Sequence, residues 1–393
     1  MEGIDRLARA LRPQYARFLA HREGEILLTG HSHQAWPDVG REGQLEAWDD
    51  AARSVDGKWG RVFGEILPEL QGQLATRLGT LRGADLALAP NTHELVYRLL
   101  SCFPAEAKVL TTDSEFHSLD RQLRRSEEAG LQVRRVSVEG PEAPFVDRFL
   151  RELELFQPHL VALSQVFFTN ARVVEPLLEI LSRAEERGVP VLVDTYHSFC
   201  ALELNADAWP GCVFATGGGY KYAQLGEGVC FLLLPADATS FRPRHTGWMA
   251  DFAGLAGPRG PIRYGEGGYR FFGATFDPTP WYRAVHVLRW MDRQGLDPAA
   301  LREASLLRTG RLIQGFDELG LAKRGLALVT PRADAARGAF VAFRHSEASA
   351  LQAALRERGV HTDARHDLLR LGPAPYTTSG ELDAALRTVS ELL

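Results

Sequence analysis

Between residues 86 and 234 the chain repeats one pattern: a short apolar or β-branched run, a polar turn, then a segment with apolar residues at helical spacing. The runs predict strands over 86–89, 108–112, 133–138, 160–164, 189–194, 213–216 and 229–234, and helices over 92–103, 118–128 and 177–187. Such alternation specifies an α/β fold, a mainly parallel sheet flanked by helices, because parallel neighbours need a long crossover that a helix supplies. Ligands of these sheets bind beyond the carboxyl ends of the strands.

The pattern breaks in a Gly- and Pro-rich stretch over 254–280, which predicts a long functional loop. Helical periodicity returns over 281–301. A strand over 339–344, a helix over 347–358 and a last helix opened by Thr378 and Glu381 follow. The 393 residues exceed what one core usually organises. The expected division is an N-terminal segment over 1–50 joining the small domain, a large ligand-binding domain over 51–300, and a small C-terminal α+β domain over 301–393.

A formal net charge of -5 provides no field that would collect nucleic acid or anionic lipid, which leaves small molecules or a second copy as expected partners. Cys102, Cys200, Cys212 and Cys230 form no CxxC pair, so neither a zinc site nor a disulfide framework is expected, and buried thiols suit a reducing cytoplasm. No secretory leader and no membrane-spanning run is expected.

Three segments carry chemistry. Ala215-Thr216-Gly217-Gly218-Gly219-Tyr220-Lys221 closes a strand with glycines, which would let the backbone turn tightly and set Lys221 at the site. A desolvated lysine there can form an imine; the plain alternative is a turn with a solvated lysine. Val189-Pro190-Val191-Leu192-Val193-Asp194 ends a buried run in a carboxylate, which needs a cationic partner. A protonated pyridine nitrogen is one such partner, as pyridoxal phosphate chemistry requires; helix capping or an arginine pair is the other reading. Ala89-Pro90-Asn91-Thr92-His93 passes from strand to helix, where free N–H groups suit a phosphate or form an ordinary N-cap.

On these residues the chain resembles fold-type-I pyridoxal phosphate enzymes of the class V aminotransferase group, and within them the kynureninase family, over roughly residues 27–376. Gly30-His31-Ser32-His33-Gln34-Ala35-Trp36-Pro37 is similar to the family's GNSLGxxP, with His31, His33 and Gln34 in place of Asn, Leu and Gly. Phe116 falls where an aromatic residue stacks on the pyridine ring, although the FPTD acid is displaced to Asp120. Asp194-Thr195-Tyr196-His197-Ser198 resembles DxxHS, Tyr220-Lys221-Tyr222 the YKY element, and Gly247-Trp248 a GW pair whose Trp approaches the phosphate. Gly273-Ala274-Thr275 is similar to a GT element that reaches a phosphate in the neighbouring subunit, and Asp363-Ala364-Arg365 with Leu369-Arg370 to DxR…LRFG.

The resemblance implies a catalytic set of Lys221, Asp194 and Tyr220. It implies cofactor contacts from Asn91, Thr92, His93, Phe116, Ser118, Asp194, His197, Tyr220, Lys221, Trp248 and Thr275. Arg370, as carboxylate clamp, with His31, Ser32 and His33 would contact an amino-acid substrate, and no metal is implied. The implied assembly is a homodimer and the implied reaction is hydrolysis of kynurenine or a related γ-keto amino acid to alanine, in tryptophan catabolism. Transamination or β-elimination shares the same cofactor residues, and a non-catalytic pyridoxal phosphate protein is a further alternative. Desulfuration needs a cysteine near the tail, and none follows Cys230.

Overall fold

The computed structural model describes residues 1–140, 143–257 and 260–393. Its centre is a seven-stranded sheet of β1 (Leu86–Ala89), β2 (Lys108–Thr112), β3 (Gln132–Val136), β4 (Leu160–Ser164), β5 (Val191–Asp194), β6 (Val213–Gly218) and β7 (Cys230–Leu233), in the spatial order β1-β7-β6-β5-β4-β2-β3. All neighbours pair parallel except β7, which runs antiparallel to both β1 and β6. The mainly parallel sheet read from the sequence is therefore present.

Period-two alternation divides the strands between two cores. Leu160, Ala162, Leu192 and Phe214 face one, shared with the helices Leu67–Leu78, Thr92–Leu100 and Thr279–Arg293. Val161, Leu163, Val191, Val193 and Val213 face the other, against Phe145–Phe156 and Leu177–Glu186. A third core lies around a four-stranded antiparallel sheet of β8 (Ala327–Leu328), β9 (Val341–Arg344), β10 (Asp363–Arg365) and β11 (Leu368–Leu371), ordered β10-β11-β9-β8. Phe316, Phe343, Leu355, Leu371 and Leu386 fill it, joined by Ile4 and Leu28 from the start of the chain. The last helix, Ser379–Leu392, opens with the expected capping box, with Thr378 and Glu381 bonding reciprocally.

Two expectations are corrected. The helical run over 281–301 is two helices, Thr279–Arg293 and Pro298–Glu318, because Gly295 adopts φ 66° and Asp297 caps the second by accepting from Ala300 N at 2.8 Å. The stretch over 254–280 contains residues 258 and 259, which lie outside the described residues; on either side the chain winds into short helical turns at Trp248–Ala256 and Gly267–Phe271. Among the described residues no helix is long and apolar enough to cross a membrane, and the four cysteines are unpaired.

Candidate active site

The carboxyl ends of β5 and β6 and the starts of two helices, α4 (Thr92–Leu100) and α5 (His117–Glu127), meet around one cavity. The labels α1, α2 and α3 belong to Glu2–Leu11, Val39–Ser54 and Leu67–Leu78. Thr92, His93, Phe116, Ser118, Asp194 and Thr216 line the cavity. Lys221, three residues beyond β6, stands at its border with Nζ 5.6 Å from the centre of the Phe116 ring and 4.5 Å from that of Tyr196.

The glycines before Lys221 do a different job from the one expected. Gly217 and Gly218 remain in β6, and none of the three has positive φ. A Cβ on Gly218 would lie 2.3 Å from the Tyr196 hydroxyl, and one on Gly219 2.5 Å from Leu225. These positions are glycine because aromatic and apolar side chains press on the backbone beside Lys221. The left-handed turn comes after the lysine, at Gln224, Gly226 and Gly228.

Lys221 is 5% exposed, and its Nζ shares a 2.8 Å hydrogen bond with His197 Nε2. Burial pushes its ammonium down to about 7, against the pull of Asp194 and with help from the Arg370 charge. Burial also lowers His197 well below its ordinary value, with Lys221 acting in the same direction, so this imidazole is neutral. Burial raises Asp194, opposed by the Tyr196 N–H that donates to Oδ1 at 2.7 Å and by Lys221.

Behind Lys221 lies a second polar group. Arg370 is buried, pairs with Asp363 and donates from Nη1 to the Phe168 carbonyl at 2.5 Å, while its Nε has no partner. His31 stacks on Phe340 at 4.8 Å with both ring nitrogens lacking hydrogen bonds, and its Nε2 is 3.5 Å from Asp363. Burial drives His31 down to about 4, opposed by Asp363. Gly372 makes room for it, since a Cβ there would lie 2.3 Å from His31 Nδ1.

The remaining expected residues divide into two groups. Tyr220 lies between His33 (5.0 Å) and Tyr196 (5.1 Å), and Ser32 turns inward to donate to the Thr29 carbonyl at 3.0 Å. Asn91 is exposed and caps α4 by accepting from Glu94 N at 2.9 Å. Trp248 and Thr275 are exposed and do not line the cavity of their own chain. Asp120 forms ion pairs with Arg124 at 2.7 Å and Arg135 at 3.3 Å. Sequence reasoning missed Tyr196, Thr216 and Glu115, each of which lies within or directly beside a motif already noted, Glu115 immediately before Phe116.

The residues present fit pyridoxal phosphate. Asp194 faces the cavity with no guanidinium partner among the described residues, and so suits a cationic ring nitrogen. Phe116 offers a face, the N-terminus of α4 offers N–H groups to a phosphate, and Lys221 offers an amine for the aldehyde.

Residues 301–389 match the family model of the kynureninase C-terminal domain. Kynureninase of Pseudomonas fluorescens is 41% identical, with the match covering 100% of this chain and 94% of that protein. The match to kynureninase of Deinococcus radiodurans, 32% identical, covers 60% of this chain and 57% of that relative, less than two thirds of its length. A solved C-DES variant with glycine covalently linked to its pyridoxal phosphate cofactor superposes with a TM-score of 0.84 over 97% of this chain and 99% of that one. At 18% identity, that likeness is one of fold. Fold and site together define a pyridoxal phosphate-dependent enzyme of fold type I. Within that class the chain belongs to the kynureninase family.

Proposed function

We propose that the enzyme hydrolyses the Cβ–Cγ bond of kynurenine or a related γ-keto amino acid, releasing alanine. One observation carries this reading: a buried lysine, its ammonium pushed down to about 7 by burial, feels the charges of both the cavity acid Asp194 and the buried Arg370. When bound, pyridoxal phosphate supplies an electron sink for the bond broken at Cα.

The chain's own residues supply the rest. Asp194 holds positive charge at the ring nitrogen, and Phe116 covers a ring face. Lys221 Nζ, once released, takes the Cα proton; a neutral His197 at 2.8 Å keeps that amine oriented without competing charge. Arg370 presents a planar fork to the substrate carboxylate, and Asp363 holds the fork until substrate arrives. His31 has unpartnered nitrogens beside Arg370 and offers a neutral donor to the same carboxylate. Tyr220, stacked under His33, would exchange a proton with the leaving carbon or donate to phosphate.

We further propose a homodimer in which Trp248 and Thr275 complete the partner's site. Both are exposed in their own chain, and Trp248 packs at 5.5 Å on the half-exposed Phe252, so that two large apolar rings face outward together.

The test is to incubate the purified enzyme with kynurenine and no keto acid. Equal amounts of alanine and a fluorescent anthranilate are expected. Consumption that occurs only with an added keto acid would point instead to transamination. The Lys221→Ala variant should lose the visible absorbance of lysine-bound cofactor; persistence of that band would remove Lys221 from its assigned role.

A further inference from the structure

Glu115 is a buried acid that none of these steps uses. It is 5% exposed, in the loop between β2 and α5. Its Oε1 accepts from Thr112 Oγ1 at 2.6 Å and from the Ser164 backbone N–H at 3.1 Å, and its Oε2 accepts from Ser164 Oγ at 2.7 Å. Both oxygens are therefore fixed by donors at the ends of two different strands, β2 and β4.

Ser164 is the last residue of β4, and in the parallel register it stands opposite Asp194. The next residue continues the support, with Gln165 N donating to the Asp194 carbonyl at 3.0 Å and Gln165 Oε1 accepting from Ser198 Oγ at 2.7 Å. On the other side of Glu115, the adjacent residue is Phe116, whose ring lines the cavity together with Asp194. Glu115 thus joins the loop carrying Phe116 to the strand edge that holds Asp194.

We propose that Glu115 is a positioning residue, a strut that fixes the position of Phe116 relative to Asp194 and so the seat of the cofactor ring between its face contact and its nitrogen contact. A residue needed only for core packing would be cheaper as an apolar side chain, because burying a carboxyl costs free energy even when it is hydrogen-bonded. Burial pushes this acid up to about 7, against the hydrogen bonds from Ser164 and Thr112 and with the charge of Asp194 adding to the rise. The inference rests on the cavity being the cofactor slot.

The experiment uses the full-length protein stripped of cofactor and titrated with pyridoxal phosphate, followed by visible absorbance and tryptophan fluorescence. Thermal midpoints of the stripped proteins are measured in parallel. Glu115→Ala and Ser164→Ala should each raise the cofactor Kd by about tenfold, and the double variant should be no weaker than the weaker single one, since both break the same strut. Glu115→Gln keeps the shape and an acceptor for the Ser164 N–H, and should bind within about threefold of the unaltered protein. If Glu115→Ala fails to fold, Ser164→Ala makes the same test from the other end. A lowered thermal midpoint with unchanged Kd would overturn the strut, as would additive losses in the double variant. If the unaltered protein did not bind pyridoxal phosphate, the cofactor reading would fall and the strut with it.

Discussion

Lys221 takes its reactivity from its surroundings. Only the neutral amine attacks an aldehyde, and burial lowers this ammonium from 10.5 to about 7. The rate at which stripped protein captures pyridoxal phosphate should therefore climb with pH, with a midpoint near 7 and a plateau above it. Asp194→Asn removes the charge that favours the ammonium and should move the midpoint lower. Stopped-flow growth of the visible band against pH checks both, and a midpoint near the ordinary lysine value would refute the burial argument. Lys221 and Asp194 are legible in sequence because their types are unusual at the ends of apolar strands. Glu115 is not legible: Thr112, three residues earlier, is a local partner that marks no site, and Ser164, 49 residues on, reaches it only through sheet register, which no local spacing encodes.

At the scale of elements, β2 and β4 are found where the sequence places them, since a buried parallel strand is a short apolar run bounded by turn residues. Less legible is whatever depends on distant packing. Three glycines read as a turn because only their conformational freedom shows in sequence; what requires them is packing, with Thr195 and Phe231 against Gly217, the Tyr196 hydroxyl against Gly218, and Leu225, folded back by the turn after the lysine, against Gly219. Arg308 in Pro298–Glu318 is a similar case. Read alone it is one more helical cation, yet it is 1% exposed and donates to the carbonyls of Thr377 (3.0 Å), Ile4 (3.2 Å), Ala304 (3.0 Å) and Pro375. It therefore binds the first helix and the tail to the same long helix. Arg308→Met fills a similar volume but strands those carbonyls, and should cost about 3 kcal/mol in urea unfolding. A loss below about 1 kcal/mol would mean that water replaces the guanidinium.

At the scale of the molecule, each chain carries Lys221, Asp194 and Arg370 inward but Trp248 and Thr275 outward. A site assembled within one chain gives the outward pair no contact with the cavity, whereas a two-fold pairing lets each chain lend them to the other. The proposed pairing is implied in the sequence only through the resemblance, because exposure and direction are properties of the folded surface. The two arrangements predict opposite results when Lys221→Ala and Trp248→Ala subunits, each nearly inactive alone, are unfolded together and refolded as a mixture. If Trp248 serves the partner's site, a mixed dimer has one site with both lesions and one with neither. Random mixing should then restore about a quarter of the unaltered activity, half the dimers being mixed with one intact site in two. If Trp248 serves its own chain, every site in the mixture carries one lesion or the other and activity stays at the level of the separate variants. Sedimentation of the mixture at the assay concentration confirms that dimers are present, so that an absence of restored activity counts against the shared site.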